Sequence, residues 1–353
     1  MGYNASVDHF ESLPDSVLLV IFNKFGDIKA LGRCCAVSKR FCSIALQVQN
    51  VVVKVDCVIS NEETSGGSST KNRGIWSNLM RFMSGGVFRP LQALQGFLGP
   101  KKSMVPEVSH HSPGEVLKSF KEVQNLRIEL PGGELGIEDG VLLKWKAEFG
   151  TTLESCVILG ASSVLNPAKD KRDQNCDLEK LGLLHENGAS DDEDTGNVTE
   201  SFYTNGGLKL KLRVVWTISS LIAASARHYL LQHIISEHPT LETLVLTDSD
   251  RQGVLCMNKN QLEEFREKPL IVSASSNRTQ IPALNMKLWY SPSLELPCGM
   301  VLKGATLVAI RPSDHPQCME TDGLLVGAFE GPFKIAANLL AKQRTYLLEM
   351  NSF

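Results

Sequence analysis

The sequence predicts an α/β protein headed by a small all-helical unit, and three observations carry that prediction. Apolar residues recur at helical spacing through the first stretch, up to Leu46. From Val116 onward, short apolar runs of strand character alternate with a helical stripe. The 353 residues, 42% of them hydrophobic and 21% charged, can fill a core and do not suit wholesale disorder.

The first unit spans residues 8–50 and divides into three helices. Ser12 is placed to cap the first, with Asp15 three residues on and Pro14 suited to its first turn. Val17, Leu18, Ile21, Phe22 and Phe25 follow at helical spacing, and Gly26 stops the helix. Asp27 can cap a second helix bearing Leu31 and Cys34 or Cys35, and Ser38 a third bearing Phe41, Ile44 and Ala45. Helices this short are marginal alone in water, so their apolar faces need one another and a partner.

Residues 51–115 form a linking segment. Val51–Ile59 alternates as a half-buried strand directly after the helices, which holds them against the next domain. Ser60–Gly74 and Gly99–Gly114 have loop composition, and Ile75–Leu98, broken by Gly85, Gly86 and Pro90, suits a packed pair of short helices.

Residues 116–353 are expected to form an α/β recognition domain. Val123–Leu130, Leu153–Gly160, Leu178–Leu184 and Leu241–Asp248 share one apolar outline at starting intervals of 30, 25 and 63, near one, one and two periods of a leucine-rich repeat. An irregular leucine-rich-repeat-like sheet and an unrelated α/β domain both fit. Gly207–Val215 alternates as a strand. Ser219–Glu237 places Leu221, Ile222, Ala226, Tyr229, Leu230, His233 and Ile234 on a helical stripe ended by Pro239. The acidic run near 186–200 reads as a solvated insertion. Thr306–Pro312 and Asp322–Phe329 read as strands, and a final helix from Pro332 offers Ile335, Leu339, Leu340, Tyr346 and Leu347 for packing.

Chemistry is sparse. Phosphate-loop, dinucleotide, nucleophile-elbow, zinc-protease and kinase motifs are missing, which argues against an enzyme and against a cofactor. His110 and His111 fall in loop composition, and Asp248 and Asp250 suit a turn better than a metal pair. The nine cysteines include no CxxC pair, and Cys34, Cys35 and Cys42 read as small hydrophobes. Lys39 and Arg40 sit beside Glu11 and Asp15, and the formal charge is −3, so direct nucleic-acid binding is not expected. The start of the chain does not read as an export signal, and Val214–Ala226 is too short and polar for membrane insertion.

The first unit resembles an F-box, on Leu13-Pro14, Leu18, Ile21, Leu31, Val37-Ser38-Lys39-Arg40-Phe41 and Leu46. The wider layout is similar to plant F-box proteins of the auxin-up-regulated subgroup. The resemblance implies a noncatalytic subunit of a Skp-cullin-F-box ubiquitin ligase. Such a subunit binds a Skp-family adaptor, through it a cullin and a RING protein, and an unknown protein substrate. It further implies an adaptor face drawn from Leu13, Pro14, Leu18 and Ile21, with Leu31, Val37 and Phe41 as mixed contact and core positions, and action in the nucleus, the cytoplasm or both. The alternative is an adaptor-binding protein working outside a cullin ligase, or an enzyme with an unfamiliar site.

Overall fold

A computed structural model describes residues 9–55, 116–131, 140–165, 207–268, 278–314, 322–325 and 327–352. In chain order the elements are α1 (Asp15–Phe25), α2 (Ile28–Val37), α3 (Lys39–Ala45), β1 (Asn50–Lys54), β2 (Asn125–Leu130), β3 (Leu142–Phe149), β4 (Leu153–Ala161) and β5 (Ser163–Leu165). There follow α4 (Gly207–Glu237), β6 (Thr243–Asp248), β7 (Gly253–Met257), α5 (Lys259–Glu267), β8 (Leu284–Glu295), β9 (Val301–Pro312), α6 (Asp322–Leu325), α7 (Gly331–Leu340) and β10 (Thr345–Met350). The fold is therefore mixed α/β, with helices first and a sheet-rich body after them.

One ten-stranded sheet runs in the order β1-β2-β6-β7-β3-β4-β9-β8-β10, with β5 paired to β9. Strands β1, β2 and β6 are parallel, and β3 is parallel to β7, while the remaining neighbours are antiparallel. Two of the four repeated outlines do lie side by side, with Leu126 beside Leu244 and Ile128 beside Leu246. The third forms β4, which runs antiparallel to both its neighbours and so does not stack as a repeat. Its apolar run comes instead from burial on both faces, Cys156 and Ile158 in one core and Val157 and Leu159 in the other. Leu178–Leu184, the acidic run near 186–200, residues 75–98 and the paired histidines lie outside the described residues.

Three expected elements change type. Gly207–Val215 is the start of α4: its alternation also contains a four-residue series, Leu208, Leu212 and Trp216, that a helix can use. Asp322–Leu325 is a single helical turn, and Gly327 at φ +81° breaks the extended path, so Ala328 and Phe329 fill a core. The last helix ends at Leu340, and Thr345–Met350 pairs with β8, satisfying backbone groups that edge would otherwise expose. Tyr346 and Leu347 are thus strand residues, and Leu347 is exposed.

Helix α4 crosses beneath β3, β4 and β7, and every residue from Ser219 to Arg227 except half-buried Ile222 is buried, so no single stripe describes it. His233, expected on the packed side, is exposed. The buried Arg227 binds Asp248 at 2.8 Å and lies 4.8 Å from the Trp145 ring centre. Gly253 makes room for both, since a Cβ there would stand 2.4 Å from Trp145 and 2.8 Å from the guanidinium. Asp248 also accepts from the Gly253 N–H, and Asp250 accepts from the Gln252 N–H in the turn expected of it. His228 is stacked on Phe149 and edge-on to Phe265, with Thr279 and the Gly150 carbonyl at its two nitrogens.

Burial lowers the His228 pKa to about 3 against an ordinary 6.5. The unfolded chain takes up this proton first as pH falls, so stability is intact above about 6.5 and declines toward 3, by at most ~1.4 kcal/mol per pH unit. Urea midpoints across that range will show the decline, and His228→Gln will flatten it. Gly26 yields a second expectation. Its φ is +53° and a Cβ there would meet the Asn50 carbonyl oxygen at 2.6 Å, so Gly26→Ala will destabilise the chain by ~2 kcal/mol or more, read as a lower urea midpoint.

Candidate protein-docking surface

The three short helices are fixed to the body on one side. Asp27 caps α2 through the Ala30 N–H and Ser38 caps α3 through the Phe41 N–H, as the sequence predicts. Ser12 does not cap α1. Pro14 takes the cap position with ψ 148°, its missing N–H costing nothing there, and the Ser12 hydroxyl donates to the His9 carbonyl. At the far end of α1 the Asn23 side-chain oxygen accepts from the Gln49 and Asn50 N–H groups, and the Gly26 carbonyl accepts from Val52 N–H at 2.8 Å. Leu18, Phe22, Ile28, Leu31, Ile44 and Ala45 join the same core as β1, β2 and β6.

Arg40 of α3 locks the segment leading into α1. Its guanidinium binds the Asp15 carboxylate at 2.7–2.8 Å and donates to the carbonyls of Phe10, Glu11 and Leu13. A planar fork of donors suits this set of acceptors, which one ammonium could not span. Phe10 packs edge-on against Phe41, and Phe41 against Phe22, so aromatic contacts hold the same segment.

What remains outside includes an unusual share of large apolar side chains. Among the described residues ten large hydrophobics are exposed, and five of them, Phe10, Val17, Val20, Phe25 and Val37, belong to this small unit. Pro14, Val17 and Val20 follow one another at three-residue steps along α1, with Val17 41% and Val20 57% exposed. Val37, at the end of α2, is 69% exposed.

The seven residues named from sequence divide accordingly. Pro14 and Val37 are open, and Leu13, Ile21 and Phe41 are half-buried at the edge. Leu18 and Leu31 are fully buried and serve the core, because α1 turns its Leu18–Phe22 side toward β1 and presents the position before it. Val17 and Val20 were not among the seven. Every residue from Val17 to Phe22 is apolar, so the pattern identifies a helix contacted on two sides without saying which side faces the body.

Burial, and then a hydrogen bond with Cys42, push the Cys35 thiol up to about 11, and burial raises Cys34, so both stay protonated near neutrality. Among the described residues there is no group of three or more His, Cys, Asp or Glu placed to hold a metal ion, and no helix long and apolar enough to cross a membrane.

The F-box-like family model matches residues 10–49. Over nearly the full length, the chain is 57% identical to the F-box protein At5g46170 of Arabidopsis thaliana, covering 98% of this chain and 94% of that one. It is 54% identical to F-box protein At1g30200, covering 99% and 94%. F-box protein AUF1, also from Arabidopsis thaliana, is 34% identical over 98% of this chain and 100% of its own. No solved structure matches the chain.

Replacing Arg40 by Gln removes the fork while keeping a polar side chain. Amide hydrogen exchange at residues 10–13 will accelerate, and stability will fall by ~1–2 kcal/mol, with the rest of the body keeping its protection.

Proposed function

The chain belongs to the F-box proteins, and from that membership we propose that it is the substrate-recognition subunit of a Skp-cullin-F-box ubiquitin ligase. F-box proteins in general act as substrate receptors of such ligases. The observation that carries the reading is the apolar stripe Pro14, Val17 and Val20, left bare on a unit whose opposite side is built into the body. A helical surface of this kind suits an adaptor that buries it, with Leu13, Ile21, Val37 and Phe41 bordering the contact. Its work is proximity: the adaptor brings cullin and RING protein, the body holds a protein substrate, and bond chemistry stays with the other subunits. The parallel run β1-β2-β6, starting beside the helices, supports reading the first part of the body as an irregular leucine-rich-repeat-like sheet.

The test is quantitative capture of a purified Skp-family adaptor by the full chain. Val17→Asp with Val20→Asp changes two exposed positions and will reduce affinity at least 100-fold, while the circular dichroism spectrum and unfolding midpoint hold. Leu13→Ala with Pro14→Ala will reduce it less. Unchanged affinity in the aspartate variant would sink the docking assignment. Adaptor capture without recovery of cullin would instead favour an interaction protein acting outside a cullin ligase.

A further inference from the structure

Among the described residues the sheet is covered unevenly. On the face turned away from α4, strands β4, β8 and β9 lie under α6 and α7. The same face of β1, β2, β6, β7 and β3 carries Val52, Arg127, Val245, Val254, Lys144 and Lys146, none of them buried. Where this open half meets the turn Gly327–Phe333 there is a cleft of 510 Å³, a size suited to a short peptide segment.

Its chemistry is specific. Val245, Val254 and Cys256 form an apolar floor, and Phe329, Pro332 and Phe333 an apolar wall. Four cations, Arg127, Lys144, Lys146 and Arg251, line it against two carboxylates, Asp250 and Glu330. Glu129 and Glu148 hold Arg127 and Lys146 at 3.1 and 3.2 Å, and Glu330 pairs with Arg251. Such partly exposed pairs are weak, because water screens them, and exchange readily for a ligand carboxylate. Lys144 differs. Its ammonium donates to the main-chain carbonyls of Asp250 and Arg251 and lies 5.1 Å from the Phe333 ring centre, and burial lowers its pKa. The Asp250 and Asp248 carboxylates act on it from nearby, but its hydrogen bonds go to main-chain carbonyls, so an incoming carboxylate can take a direct ionic hydrogen bond there.

We propose that this cleft seats the substrate as a short acidic segment in which an aliphatic side chain, on the Val245–Val254 floor, stands between carboxylates. The proposal rests on the substrate-receptor reading and names the chemistry of what is received. Single charges spread along a peptide suit this cleft better than a phosphate dianion or a nucleic-acid backbone, because Asp250, Glu330, Glu129 and Glu148 interleave with the cations and would repel a concentrated negative charge.

The experiment uses the full chain bound to its adaptor and a fluorescein-labelled octapeptide in which Val-Leu is flanked on each side by glutamates. A control peptide carries lysines in their place. At low salt the acidic peptide will bind at least tenfold more tightly than the basic one, and salt will weaken it. Lys146→Glu will reduce that affinity about tenfold. Arg251→Glu, at a more exposed position on a turn, will reduce it about fivefold and guards against a folding defect in the first variant. Equal binding of the two peptides, or undiminished binding by both variants, overturns the proposal. So does a wild-type dimer in sedimentation that Lys146→Glu dissociates, since the face would then be a contact between copies. The ligase reading fails separately, by absence of cullin from the adaptor complex with peptide preference intact.

Discussion

The hydrogen bond from Val52 N–H to the Gly26 carbonyl is the joint on which the architecture turns. Helices of 11, 10 and 7 residues cannot persist alone, so the unit that carries the apolar stripe exists only because its back is part of a larger core. Gly26 makes the joint by taking a left-handed conformation that ends α1 and brings its carbonyl to β1, with Asn23 binding the strand's first two amides beside it. The same contact closes the β1 edge of the sheet, which would otherwise offer free backbone groups to any extended chain. One short segment thereby stabilises the helices, covers an edge and sets the register from which β2 and β6 follow.

A helical unit joined to its body this way transmits position. Leu18 and Phe22 share a core with Val51, Val53 and Leu126, so the helical unit has no loose tether about which to swing. In a ligase that geometry matters, because a flexible connection lowers the effective concentration of substrate lysines near the charged carrier. The ten-stranded sheet then acts as a ruler whose length is set by strand spacing, with the helical unit at one end and the open half of its face beginning beside it.

Much of this was legible where the signal was local. Asp27 and Ser38 each cap a helix within three residues of themselves, Gly26 ends α1 by bonding Phe22 four residues back, and each does what its residue type dictates. Periodicity misled where two periods coincide: Gly207–Val215 alternates by two and also repeats by four, and the packing of Leu212 and Trp216 into the core fits the four-residue series. The faces of α1 are hard to rank for a related reason, since an apolar run from Val17 to Phe22 satisfies core and partner alike. The contacts that no local pattern announces are the long ones. Arg40 reaches back 27 residues to the Leu13 carbonyl, and Arg227 finds Asp248 across a helix and a strand.

Those two arginines explain why a formal charge of −3 says so little about partners. One is consumed in holding the docking segment, the other in a desolvated pair whose partner is fixed by the Gly253 amide. Burying a pair like Arg227 and Asp248 contributes little net stability compared with apolar packing of the same volume, but removing either member strands the other in the core. Its effect is to forbid alternatives: α4 can lie under β3 and β7 only where Arg227 meets Asp248 and where Gly253 leaves space for the guanidinium between Trp145 and the strand. Charge in this protein works first as registration between distant segments. The cations of the open face stand out against that background because their carboxylate partners are partly exposed, and because Lys144 gives its direct hydrogen bonds to main-chain carbonyls.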